Sequence, residues 1–468
     1  MRRSAVTVGG ALAALLGVQP HGASASVTVR KTGRGPTGYE VDFRYVNATA
    51  KSVKIGGGFQ PFTDQFHTTG TIHRVNGRFD PWSYQPGDFW VSNPYPQLPE
   101  DYPWPYEMQR SNESGHEGEW ILTVPLPSGT YTYAFLPDCA YAPNCTIDSG
   151  QLVVDPDVPP LQNVPGDALS SNFHVPFDPE FQFTPELNLN FDYALPAPKP
   201  CHNRGTVMYV NYTSPGSIHP APDVHDFVIY LPPGYARNKT KTRKEYPLLY
   251  LSHGANGNGG DWENLGRMSH IMDNLIRLGH IPPTVVVAPT FYNLNATYQN
   301  NTKYLYGNRT HTVPVPPALL VRENYEKYLF PFVESHFDVC RNASCRAFAG
   351  LSMGGVLAYE MLVNATDTFD YFGLFSPATL PPYIGEKDLK KNPALKEKGI
   401  FIAYGLYDFV FQWARDLQTA LDALEIRYLN RVTPFGSHAW NTWQDELWWF
   451  GQKVLWKELP LWKLVGRR

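Results

Sequence analysis

Strong charge of one sign is missing from this 468-residue chain: 39 Lys and Arg stand against 43 Asp and Glu, leaving a formal charge of −4. No long basic run occurs, and phosphate binding requires clustered Lys and Arg, so a nucleic-acid partner is not expected. Beyond the N-terminus no apolar run approaches the ~18 residues of a membrane span, so no membrane partner is expected either. The chain has no H-E-x-x-H and its histidines are dispersed, which argues against a metal site. Gly257-Asn258-Gly259-Gly260 is glycine-rich but lacks the spacing of a dinucleotide or phosphate loop, and no cofactor is expected. Internal repeats are absent.

What is present is core material, 43% apolar and 14% aromatic residues, on a chain too long for one typical core. Two domains are therefore expected. Residues 1–25 carry a targeting pattern: Arg2 and Arg3 give a positive start, Ala5 to Val18 a short apolar stretch, and Ala23-Ser24-Ala25 small residues for a signal peptidase. N-x-S/T sequons begin at Asn47, Asn112, Asn144, Asn211, Asn238, Asn295, Asn300, Asn308, Asn342 and Asn364, a density that fits a glycosylated secretory product. Cys139 with Cys145, and Cys340 with Cys345, bracket short loops that can close as disulfides in an oxidising compartment, leaving Cys201 over. The expected localisation is extracellular.

From residue 26 to 157 the pattern is all-β. Tyr39 to Tyr45 alternates as a half-buried strand does, Ser52 to Ile55 follows, and Glu119 to Val124 and Tyr131 to Phe135 flank the turn signal Pro127-Ser128-Gly129 as a hairpin. These elements predict a small β-sandwich. Residues 158–200 are rich in Pro, Asn and acids and read as an extended linker whose Phe173, Phe177, Phe181 and Phe183 lie against the flanking parts. The aromatic insertion with Trp82, Trp90, Tyr95, Tyr102, Trp104 and Tyr106 reads first as packing within a Pro-rich loop, with stacking on sugar rings as the alternative. From 201 to 468, short apolar runs (227–231, 248–251, 285–288, 347–349, 371–375, 400–404) alternate with helical patterns such as Leu265, Met268, Ile271, Met272, Leu275 and Ile276. Further helices are expected over Tyr325 to His336 and Val410 to Leu424. The alternation predicts an α/β domain, a doubly wound, mostly parallel sheet.

Gly350-Leu351-Ser352-Met353-Gly354 is a G-x-S-x-G, frequent enough by chance that its setting must carry the reading. Arg346 to Ala349 reads as a strand and Val356 to Val363 as a helix, which makes Ser352 a strained, exposed nucleophile at a strand-to-helix turn. A serine hydroxyl needs a base, and His438 is the single histidine downstream of Ser352. Asp408 follows the strand ending at Tyr404, where a sheet presents reactive side chains, and so outranks Asp370, Asp416, Asp422 and Glu425 as the orienting acid. Two N–H donors must face a developing oxyanion. Met353 supplies one, and the loop after Leu251 the other, from Ala255 or next Asn256, with His253 buttressing that loop. Trp440, Trp443, Trp448 and Trp449 cap the sheet, and Trp440 alone is expected near His438.

His253-Gly254 with Asp261-Trp262, the segment Ala349 to Gly355, Gly405 to Asp408, and His438-Ala439-Trp440 with Trp443 resemble the esterase D-like family of α/β-hydrolases. Within it the chain is most similar to feruloyl and acetyl-xylan esterases and to enterochelin esterases, over about Gly205 to Phe450. Ser52 to Gly58, Trp120 to Asp138 and Asp155-Pro156 resemble the early-set, glycan-binding-module-like sandwich that often precedes such esterases. The resemblance implies a triad of Ser352, Asp408 and His438, an oxyanion hole of Ala255 and Met353, and substrate contacts from Trp262 and Trp440. Ser437, in place of the family's usual Gly, and the long Phe291 to Pro317 stretch depart from the pattern near the mouth of the site. An ester substrate, carbohydrate-linked, is the partner implied. A lactone or siderophore esterase, an acyltransferase, and an inert glycan-binding protein stay open.

Overall fold

The computed structural model describes residues 25–57, 74–75, 78–79, 82, 107–139, 149–155, 171–182, 204–217, 221–235, 245–255, 257–291, 304–306, 309–311, 318–406, 408–433, 436 and 438–460. The targeting segment 1–24, Cys145, Cys201, Phe183, Asn256, Ser437, most of the Phe291 to Pro317 stretch and the aromatic insertion apart from Trp82 lie outside them.

Alternation in the first strands sorts their side chains by face. β1 (Ala25–Lys31), β2 (Tyr39–Val46), β3 (Val53–Gly57), β4 (Arg74–Val75), β5 (Arg78–Phe79), β6 (Gln109–Arg110), β7 (Glu119–Val124), β8 (Gly129–Pro137) and β9 (Ser171–Val175) form a four-stranded sheet, β1-β2-β7-β6, a three-stranded sheet, β3-β8-β9, and the pair β4-β5. Val41, Phe43 and Tyr45 of β2 meet Ile55, Tyr133, Phe135 and Phe173 of the second sheet in one core. Phe43 stands edge-on to Tyr133 at 5.8 Å, and Tyr45 stacks on Phe135 at 5.2 Å.

Two expectations are corrected here. The expected hairpin across Pro127-Ser128-Gly129 does not form: β7 pairs with β2 and β6, whereas β8 pairs with β3 and β9. Pro125 and Pro127 lack the N–H groups a tight hairpin ladder needs, and Leu126 between them is buried in the shared core, so the chain crosses from one sheet to the other. The expected linker also contains β9, whose Phe173 fills that core, so β structure continues past residue 157. At the other end, β1 begins at Ala25, one residue before the expected start of the β region.

The second part is built on an eight-stranded sheet. Its elements are β10 (Thr206–Thr213), β11 (Val224–Leu231), β12 (Leu248–Ser252), α1 (Asp261–Asn264), α2 (Met268–Arg277), β13 (Val285–Pro289), the pair β14 (Tyr304–Tyr306) and β15 (Arg309–His311), α3 (Ala318–Asn324), a π turn (Tyr325–Leu329), α4 (Phe330–His336), β16 (Arg346–Leu351), α5 (Met353–Asn364), β17 (Tyr371–Phe375), α6 (Glu386–Lys391), β18 (Gly399–Gly405), α7 (Phe411–Ala423), β19 (Leu429–Thr433) and α8 (Trp440–Lys453). The order is β10-β11-β13-β12-β16-β17-β18-β19, antiparallel at β10 and β11 and parallel from β13 to β19.

Strands in the middle of such a sheet are apolar on both faces, and successive residues divide between two cores. Phe227, Ile229, Val285 and Val287 join the helical segment from α3 to α4, with α5 and α7, on one side. Val228, Val286, Leu249 and Leu251 join Trp262, α2 and α8 on the other. Burying one such side chain contributes about 2 kcal/mol. Because β12, β16, β17, β18 and β19 are parallel, the loops after them gather along one edge. The β-rich region touches this part at α8, where Gln444 Nε2 donates to Thr130 Oγ1 (2.9 Å) and to the Leu265 carbonyl (2.8 Å).

Cys340 and Cys345 are joined by a disulfide, and Cys139 is also disulfide-bonded. Among the described residues no helix is long and apolar enough to cross a membrane.

Candidate active site

Ser352 sits between β16 and α5 with φ 53° and ψ −114°, a conformation that L residues rarely adopt. The surroundings hold it there: its N–H donates to the Phe375 carbonyl (2.9 Å), and its carbonyl accepts from Val356 (3.1 Å) and Ala378 (3.2 Å). Close packing of the turn on the loop after β12 requires glycine at 354, where a Cβ would lie 2.3 Å from the His253 carbonyl oxygen.

The structure brings Ser352, His438 and Asp408 together. Ser352 Oγ lies 2.8 Å from His438 Nε2, and His438 Nδ1 lies 2.9 and 3.1 Å from the two Asp408 carboxylate oxygens. The carboxylate can only accept, so Nδ1 carries the proton toward Asp408 and Nε2 is left to accept from the serine. All three residues are at least nine-tenths buried. The Asp–His distance depends on the ends of β18 and β19 coming close: a Cβ at Gly405 would stand 2.2 Å from the Gly436 carbonyl oxygen. Val410 N–H donates to Asp408 Oδ1 (3.0 Å) and fixes the carboxylate. The competing acids are engaged elsewhere. Asp370 binds Lys398, Asp416 accepts from Gln412, Asp422 lies near the end of α7, and Glu425 pairs with Lys396.

The loop after β12 is braced from inside. His253 is wholly buried and stacked on Phe291 at 4.1 Å, and its Nε2 accepts the Phe291 N–H (3.2 Å), so Nδ1 holds the proton. That proton goes to the Gly254 carbonyl (2.7 Å), which also accepts from the Gly257 N–H (3.3 Å). In a planar trans peptide the C=O and the next N–H point opposite ways, so fixing the Gly254 oxygen toward His253 turns the Ala255 N–H away from it. The same loop runs beside the serine, since a Cβ at Gly254 would lie 3.2 Å from Ser352 Cβ. Met353 opens α5, and first-turn N–H groups have no acceptor within their own helix. Burial pushes the His253 pKa down to about 3 and keeps the ring neutral. Burial also pushes the Asp261 carboxyl up to about 7, against hydrogen bonds from Asn258, whose N–H reaches Asp261 Oδ2 at 3.1 Å.

The expected substrate contacts are rearranged. Trp262 is fully buried, donates its indole N–H to the Ser252 carbonyl (2.9 Å) and stands edge-on to Phe375 and Trp440. It has no surface to offer a substrate; it supports the loop instead. The indole against His438 is that of Trp443, edge-on at 5.0 Å, while Trp440 packs on Trp443 (5.1 Å) and Trp262 (5.4 Å). A ring that sequence reasoning missed, Phe409, lies with its centroid 4.3 Å from that of His438, tilted against it. Its position directly after Asp408 was the available signal. Among the described residues no cluster of His, Cys, Asp and Glu is arranged to hold a metal ion.

Residues 223–453 match the model of a family described as "Putative esterase". An endo-1,4-beta-xylanase/feruloyl esterase of Xylanibacter ruminicola is 31% identical over 38% of this chain, and endo-1,4-beta-xylanase Y of Acetivibrio thermocellus is 27% identical over 43%. The alignments span 22% and 16% of those two proteins' lengths. Among solved structures, the feruloyl esterase module from Clostridium thermocellum complexed with sinapinate aligns at 22% identity and a TM-score of 0.43, over 56% of this chain and 92% of that one. The enterobactin esterase FES from Shigella flexneri aligns at 16% identity and a TM-score of 0.46, over 95% of this chain and 97% of that one. The likeness of this chain to the esterase family runs through residues 223–453.

Proposed function

We propose that this chain is a secreted serine esterase that cleaves carboxylic esters through an acyl-enzyme, with feruloyl or acetyl esters of plant polysaccharide as substrates. The observation that carries the reading is the pair of hydrogen bonds linking Ser352 to His438 and His438 to Asp408 at the C-terminal edge of the parallel strands. Ser352 Oγ attacks the ester carbonyl while His438 Nε2 takes its proton, and Asp408 stabilises the imidazolium. The Ala255 and Met353 N–H groups hold the oxyanion. His438 returns the proton to the leaving alcohol, and water, activated by the same imidazole, releases the acid and restores Ser352.

The substrate class is supported by the Xylanibacter ruminicola relative, which is named as a xylanase and feruloyl esterase. Export is supported by the residue 1–25 targeting pattern, the sequon density and the Cys340–Cys345 disulfide. The β-rich region, read as a small sandwich preceding the α/β-hydrolase part, carries none of the three reacting side chains.

Side-by-side assay of p-nitrophenyl acetate, methyl ferulate, acetylated xylan and a cyclic trilactone, with Ser352→Ala as the blank, tests this. Turnover of methyl ferulate or acetylated xylan above the trilactone is expected. Faster cleavage of the trilactone, or transfer of the acyl group to an added alcohol in preference to water, overturns the substrate reading. Absence of turnover on all four sinks the esterase reading itself.

A further inference from the structure

Phe409 is an anomaly in composition terms: a large apolar side chain, 51% exposed, whose ring centroid is 4.3 Å from that of His438. It is not on a slack loop. The residues on either side are tied down by the Val410 N–H to Asp408 Oδ1 (3.0 Å) and the Phe411 N–H to the Asp408 carbonyl (3.0 Å), and Val410 itself is fully buried. Its ring also stands edge-on to Trp413 at 6.0 Å. Leu406, 46% exposed, lies just before it. Leu380, 57% exposed, belongs to the neighbouring loop after β17, which Tyr383 joins to the Trp413 carbonyl (3.5 Å). Phe409 thus stands as an exposed apolar ring, on a tied-down turn, beside the imidazole.

Topology says which half of an ester meets that ring. In the sheet, β12 lies on one side of β16, and β18 and β19 lie on the other. The oxyanion donors come from the loop after β12 and from the start of α5, so the carbonyl oxygen points toward β12. His438 stands after β19 and Phe409 after β18, on the opposite side of Ser352. The proton taken from Ser352 Oγ by His438 Nε2 is delivered to the ester's leaving oxygen as the carbonyl–oxygen bond breaks. The leaving oxygen must therefore approach Nε2, and the alcohol attached to it extends past the imidazole toward Phe409.

Resting on the esterase reading, we infer that Phe409 is the binding subsite for the alcohol half of the ester, and that this alcohol presents a ring face, a sugar ring rather than a small alkanol. A phenyl ring has no polar group to read hydroxyl positions, but it matches the C–H face of a pyranose or furanose. The subsite acts in acylation. It has no part in deacylation, because the alcohol has left by then.

The test varies the alcohol at constant acyl group. Phe409→Ala and Phe409→Trp are compared with the parent on feruloyl-arabinose and on methyl ferulate, with the deacylation rate constant measured in single-turnover experiments. Phe409→Ala should lower kcat/KM on feruloyl-arabinose at least tenfold more than on methyl ferulate, the scale of one lost apolar contact surface. Deacylation of the common feruloyl-enzyme should stay within about twofold, and Phe409→Trp should restore preference for the sugar ester. Equal losses on both esters, no loss on either, or slowed deacylation overturns the assignment. If instead the parent enzyme turns over neither ester, it is the esterase reading that fails.

Discussion

Ser376 Oγ lies 3.3 Å from Glu446 Oε1, and both residues are completely shielded from water. Ser376 follows Phe375, whose carbonyl accepts the Ser352 N–H, so helix α8 reaches the Ser352 turn through one side chain and one peptide. Burial first, and then Asp408 and Asp445, hold the Glu446 carboxyl well above the usual range. That shift favours the protonated form of a carboxyl placed behind the site without touching the reacting atoms.

Glutamine reproduces that neutral group, and alanine removes it. Glu446→Gln should keep kcat within about threefold and leave the melting temperature close to the parent. Glu446→Ala leaves the buried Ser376 hydroxyl unpaired beside a cavity, a cost of about 2–4 kcal/mol. Thermal unfolding and steady-state kinetics on p-nitrophenyl acetate distinguish them. Equal destabilisation by both substitutions would show that the charged form is the one the fold needs.

Ser352→Ala deletes one small hydroxyl and should abolish turnover without moving the melting curve. Asp408→Asn should lower kcat by about 10⁴-fold, because an amide favours the wrong imidazole tautomer. Retained activity in Ser352→Ala, or a larger loss in Asp416→Asn or Asp422→Asn than in Asp408→Asn, would falsify the assignment of the triad.

Asp261 gives a pH test with a definite sign. Its carboxyl is raised from 3.8 to about 7 in the folded protein, so between those values the folded chain keeps a proton that the unfolded chain has lost. Its contribution to stability is full below pH 3.8 and declines as pH rises to about 7. Asparagine does not titrate. Melting temperatures of Asp261→Asn minus those of the parent should therefore climb from pH 4 to 7 and level off above. His253 titrates in the opposite sense but is present in both proteins, so it drops out of the difference. A flat difference across that range would mean Asp261 is ionised in the folded state throughout.

Much of the catalytic half was legible because its signals are local. The buried parallel strands are short apolar runs, and a lone histidine after Ser352 leaves one choice of base. What was not legible depends on contacts distant in sequence. β10 is an edge strand with most side chains exposed, so Thr206–Thr213 carries little period-2 signal. Phe173 lies in a Pro- and Asn-rich stretch, and only its packing against Phe43 and Tyr133 reveals a strand. Trp443 rather than Trp440 reaches His438 because α8 starts at Trp440, and three further residues bring the chain round a helical turn onto the imidazole. Trp262 shares its motif with Asp261, but a motif does not say which way an indole faces.

The bond from Gln444 to Thr130 joins the β-rich region to α8. Gln444 is buried, and its amide nitrogen serves both Thr130 Oγ1 and the Leu265 carbonyl. Thr130→Val keeps the shape of the side chain but removes the hydroxyl bonded to both Gln444 Nε2 and His174 Nδ1, leaving the buried Gln444 N–H unpaired at a cost of about 1–2 kcal/mol. The melting temperature should fall by a few degrees. Because Gln444 follows Trp443, which packs on His438, a shift of α8 would also be felt at the site. The reacting groups keep their own hydrogen bonds, however, so kcat on a small ester should change by less than about threefold. A chain beginning at residue 204 loses the whole contact and should be less soluble and less stable than the full chain, with kcat on p-nitrophenyl acetate within about tenfold. If Thr130→Val and the shortened chain both match the parent in stability, the β-rich region is not held to the catalytic part by this contact and has no share in stabilising it.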